Sequence, residues 1–105
     1  MDILESDWKL LRQKLPKWQE DYMSKLLKEY IELLSNNFVE ASERFWEIKK
    51  RIDCDCKNPG VVVEMRRSRA VTNIASLISY GVITENDISD FSEELKQQVN
   101  LLVKV

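Results

Sequence analysis

The sequence predicts an all-α protein, a compact bundle of four to five helices with mostly antiparallel neighbours. Three observations carry that prediction. Apolar residues recur at steps of three and four along almost the whole chain, as one face of a helix requires. Two glycines and two prolines in 105 residues leave too few breakpoints for the many turns of an all-β fold. The connections between periodic stretches are short, which sets successive helices side by side in opposite directions. A hydrophobic content of 44% can build a core, and the length fits a single domain over residues 1–105.

Asp2 followed by Glu5 predicts a capped start for a first helix carrying Leu4, Trp8, Leu11 and Leu15. Pro16 is expected to end it, because the residue before a proline is pushed out of the helical region. Proline also suits a first turn, so a second helix is expected from there to about Leu34. Its stripe is Trp18, Tyr22, Leu26, Tyr30 and Leu33/Leu34, widened by Met23, Leu27 and Ile31. After the polar Ser35-Asn36-Asn37, Asn37 with Glu40 predicts a capping pattern opening a third helix. Phe38, Ala41, Phe45, Ile48 and Ile52 line one side of it, and it should end near Asp53. Lys49, Lys50 and Arg51 suit the negative end of its dipole.

Cys54 to Gly60 is the one clear loop. Asn58-Pro59-Gly60 is turn chemistry, or alternatively Asn58 caps a fourth helix with Pro59 in its first position. Val61-Val62-Val63 favours extended backbone but has no second strand to pair with, so it is assigned to the start of that fourth helix. The helix continues through Met65, Ala70, Val71, Ile74, Leu77 and Ile78 to a stop at Gly81. Thr84 and Asp87 form a cap-like start for the last helical region, with Ile88, Phe91, Leu95, Val99 and Leu102 on its face. Ser92-Glu93-Glu94 can restart the helix after a bend at Asp90-Phe91.

Charge and composition narrow the function classes. With no histidine, imidazole is removed as metal ligand, general base, proton relay or neutral-pH switch. A net charge of −2 marks neither a generally basic nucleic-acid binder nor a polyanionic protein. The N-terminus is acidic and lacks the basic-then-apolar order of a secretion signal. The longest uncharged run, Ala70 to Thr84, has fifteen residues interrupted by polar ones, whereas a membrane span needs ~20 mostly apolar residues. A cytoplasmic protein with reduced Cys54 and Cys56 is expected.

Several constellations invite a chemical reading. Asp53-Cys54-Asp55-Cys56 could give two thiolates to zinc, but no further Cys or His exists to complete four ligands, so free thiols are expected. Glu29/Glu32 and Glu40/Glu43, with Glu47, are acids one turn apart. Helical nucleotide pyrophosphohydrolases hold magnesium with such pairs, but their second pair comes much further along and normally ends in Asp. Interleaved Lys28, Arg44, Lys49 and Lys50 make a solvated face the expected reading. No catalytic residue, metal or cofactor is therefore assigned.

Between Lys49 and Arg69 seven cations meet three acids, and Arg66, Arg67 and Arg69 could pair with phosphate or a partner's carboxylates. Glu85, Asp87, Asp90, Glu93 and Glu94 form the opposite, acidic run. The expectation is that the two patches neutralise each other within the fold or across a dimer. The Ile74–Leu95 stretch resembles a helix-turn-helix in outline, but its reading helix would be acidic and repelled by phosphate. Trp46 lies one step off its helix's stripe, at the edge of the core, where an exposed tryptophan anchors interfaces; an aromatic at helical spacing is more often core, and burial is the expected reading for Trp8, Trp18 and Trp46.

Two resemblances add to this reading. Trp8-x-x-Leu11-Arg12, Leu15-Pro16-x-Trp18-Gln19, Glu29-Tyr30-x-x-Leu33-Leu34, Phe45-Trp46, Pro59-Gly60-Val61 and Gly81-Val82-Ile83-Thr84 look like a small, uncharacterised all-helical family of Gram-positive bacteria. Some members carry the label of multidrug transporter, which the lack of a spanning segment here contradicts. Leu77 to Ile88 is similar to short C-terminal helical hairpins that mediate oligomerisation, although Ser92-Glu93-Glu94 stands where basic residues usually follow. The function expected is protein–protein interaction or self-association without catalysis, through Trp46, Arg66, Arg67, Arg69, Asp87 and Asp90. The alternatives are anion or nucleic-acid binding through Lys49–Arg69 and, third, a carboxylate–metal enzyme.

Overall fold

A computed structural model describes residues 3–103. The three-and-four spacing folds into α1 (Glu5–Leu34), α2 (Ala41–Asp55), α3 (Ala70–Ser79) and α4 (Glu93–Val103). Short 3-10 turns stand at Arg67–Arg69 and Glu85–Ile88, and no strand occurs among the described residues. The fold class is all-α, with four helices. None of them is long and apolar enough to cross a membrane.

The two helices expected on either side of Pro16 are one helix of 30 residues. An internal proline loses one backbone hydrogen bond and crowds the carbonyl four residues back, at a cost of about 3 kcal/mol. Here Pro16 lies on the exposed side, while Leu11 and Leu15 before it are buried and Trp18 after it packs on the same core. Continuing the helix keeps those three side chains in register on one face, and their burial offsets the break in the ladder. The expected cap at Asp2 lies outside the described residues. Leu4 stands at the N-cap without a side-chain bond.

The Asn37–Glu40 capping pattern does not form. Glu40 is the N-cap of α2 and makes no side-chain cap. Instead the Asn36 side chain accepts the Phe38 N–H at 3.1 Å. Arg44 reaches back to the carbonyls of Val39 (3.0 Å) and Leu34 (2.6 Å). One guanidinium thereby serves the orphan carbonyl end of α1 and the connection after it. α2 runs on to Asp55, two residues past the expected end.

Val61-Val62-Val63 is neither helix nor strand, and the fourth helix begins only at Ala70. The turn reading of Asn58-Pro59-Gly60 holds. Asn58 Oδ1 accepts the Gly60 N–H at 2.7 Å, and its amide donates to the Tyr22 hydroxyl at 3.0 Å. Gly60 is pressed so closely to Tyr22 that a Cβ there would run into the ring. Beyond that fixed point the Val61 and Val62 amides both donate to the Asn58 carbonyl, closing the turn, and Val63 rests on the core. α3 ends as its glycine predicts. Gly81 has φ +75°, and the Val82 and Gly81 amides donate to the Leu77 and Ile78 carbonyls in a Schellman closure. The Thr84–Asp87 box forms on the Glu85–Ile88 turn, and the chain bends before Ser92 restarts it as α4.

These elements make two unequal parts. In the first, which we call the body, α3 and α4 pack together and the N-terminal half of α1 closes over them. Leu11, Ile74, Leu77, Leu95 and Val99 are completely enclosed there. In the second, the arm, the C-terminal half of α1 and α2 run antiparallel beyond the body. The molecule is accordingly long, 52 × 25 × 22 Å, with a radius of gyration of 16.6 Å against ~13 Å for a compact chain of this length.

Candidate functional site

In the arm, α2 turns Arg44, Ile48, Arg51 and Asp55, spaced by four, three and four, toward α1. Three of these four are charged, so the seam is held by polar bonds. Tyr30 donates a short hydrogen bond to Asp55. Arg51 pairs with Glu29 at 3.0 Å and Asp55 at 3.6 Å, and its guanidinium stacks 5.3 Å above the Tyr30 ring. Burial, with the Asp55 hydrogen bond second, pushes the Tyr30 hydroxyl up to about 12, so it remains a donor. The Glu29 hydrogen bond holds Arg51 above its usual range. Leu26 is the single buried apolar side chain that α1 contributes to the arm, and α2 contributes none.

The apolar side chains left over gather on one side. Leu27, Ile31 and Leu34 share a face of α1, and Ala41, Phe45 and Ile52 share a face of α2. A groove of about 290 Å³ lined by Met23, Leu27, Ile52 and Cys56, among others, sets both faces on the same side of the arm. A second groove is mixed, lined by Leu33 and Val39 together with Asn36, Glu43, Arg44 and Glu47. On the apolar side Leu27, Ile31 and Phe45 are 57–63% exposed, and Phe38 at the tip is fully exposed. Burying such side chains gains ~1.5–3 kcal/mol each, and none of the described residues covers them.

The six residues singled out from the sequence are not brought together. Trp46 alone lies on the arm, 63% exposed and edge-on to Phe45 with ring centroids 5.2 Å apart. Arg66 and Arg69 share Glu64 at 2.6 and 3.8 Å. Arg67 binds the Ile3 carbonyl and Glu5 (2.7 Å), tying the 3-10 turn to the start of α1. Asp87 is the N3 partner of the Thr84 cap, and Asp90 pairs with Lys14 at 3.1 Å. Among the described residues no ion pair joins Lys49–Arg69 to Glu85–Glu94. Those members of the patches that do pair find their partners among their own neighbours or on α1, so the neutralisation expected within the fold does not form among the described residues.

Cys54 and Cys56 are both free and exposed. Among the described residues no three Cys, Asp or Glu side chains converge on a point where a metal could sit. Sequence reasoning missed the face built from Leu27, Ile31 and Phe45, because helical spacing that makes a stripe does not say what covers it. The signal that could have found it is α2 itself, whose seam positions Arg44, Arg51 and Asp55 are charged while Phe45 and Ile52 stand beside them. Comparison of the chain with protein-family models, curated proteins and solved structures finds no match.

Proposed function

We propose that this chain acts by binding protein, and that its binding surface is the apolar side of the α1–α2 arm. The observation that carries the proposal is the group Leu27, Ile31, Leu34, Phe45 and Ile52, all exposed on one side of a hairpin whose seam is polar. Leu27, Ile31 and Phe45 are 57–63% exposed and Leu34 and Ile52 42–43%, a grouping of apolar side chains of the kind that marks an interaction surface. Trp46, beside Phe45, extends the surface as an aromatic anchor. The arginines and acids named from the sequence serve the fold, and only Trp46 of the six belongs to the surface.

The test compares wild type with Ile31→Glu and Phe45→Ser by sedimentation velocity and by retention of proteins from the native host. Both positions are exposed, so circular dichroism should show the same helix content and melting. Complex formation, with a second copy or another protein, should be present in wild type and lost in both variants. Indistinguishable behaviour of the three proteins in both assays would overturn the proposal.

A further inference from the structure

No further inference is drawn: the strongest candidate, the apolar face of the α1–α2 arm with its groove between Met23, Leu27, Ile52 and Cys56, belongs to the surface already described, and nothing in the structure shows what covers it.

Discussion

The two halves of α1 make an instructive pair. Residues 5–19 carry five large apolar side chains, Trp8, Leu10, Leu11, Leu15 and Trp18. Residues 20–34 carry eight, Tyr22, Met23, Leu26, Leu27, Tyr30, Ile31, Leu33 and Leu34. Yet the poorer half buries Leu11 and Leu15 completely or nearly so and leans both tryptophans on the core, while the richer half buries only Leu26. The difference lies in the partners. The first half is enclosed by α3, the Glu85–Ile88 turn and α4, whereas the second meets α2, along a seam of Arg44, Arg51 and Asp55, and the turn at Asn58–Gly60. Apolar content sets how much surface asks for cover, and the number of neighbouring elements sets how much receives it.

If the body carries the stability and the arm the binding surface, substitutions should sort by location. The largest effect belongs to the body core, where Leu77→Ala should cost about 2–5 kcal/mol in urea or thermal unfolding. Loss of less than 1 kcal/mol there would contradict the division. Next comes Asp7, a carboxylate only 2% exposed that accepts the Ser92 N–H at 2.9 Å and hydroxyl at 2.6 Å. It thereby fixes the start of α4 to α1. Asp7→Ala should cost about 1.5–3 kcal/mol, with Asp7→Asn, which keeps an acceptor, costing less.

At the junction of the two parts, Gly60→Ala drives a methyl into the Tyr22 ring and should destabilise by about 1–3 kcal/mol. The double variant with Tyr22→Ala should lose that clash, which a double-mutant cycle reads as coupling. In the arm, Tyr30→Phe should cost about 1 kcal/mol. Because the folded hydroxyl is raised from 10 to about 12, its contribution is complete below pH 10 and fades as pH climbs toward 12. The difference in alkaline stability between wild type and Tyr30→Phe should therefore vanish across that interval. Smallest of all, Phe45→Ser should change the stability of the monomer by no more than about 0.5 kcal/mol. A loss comparable to Leu77→Ala would place Phe45 in a core and remove the contrast between arm and body.

Much of this fold is legible from local chemistry. Gly81, the Thr84–Asp87 box and Asn58-Pro59-Gly60 act where they stand, because their bonds reach only a few residues along the chain. The exceptions are places where distant contacts compete. Pro16 would end a helix on its own, but Leu11, Leu15 and Trp18 share one core across it. Asn37 and Glu40 match a capping pattern, but Arg44 takes over the neighbouring carbonyls. Arg67 and Asp90 carry charge suited to a partner, but Glu5, the Ile3 carbonyl and Lys14 claim them first. Trp46 stands exposed at the edge of the stripe, against the burial favoured for an aromatic at helical spacing.

The sequence by itself determined the all-α class and the C-terminal end of α3 at Gly81, since periodicity and turn chemistry are properties of neighbouring residues. It also determined a stripe of apolar side chains on each side of the α1–α2 connection. Only the tertiary structure decided which stripes are covered. α3 and α4 spend their apolar faces on each other and on the first half of α1, leaving no element to close over Leu27, Ile31 and Phe45. Burial is a relation between surfaces brought from different parts of the chain, so no local pattern can state it in advance.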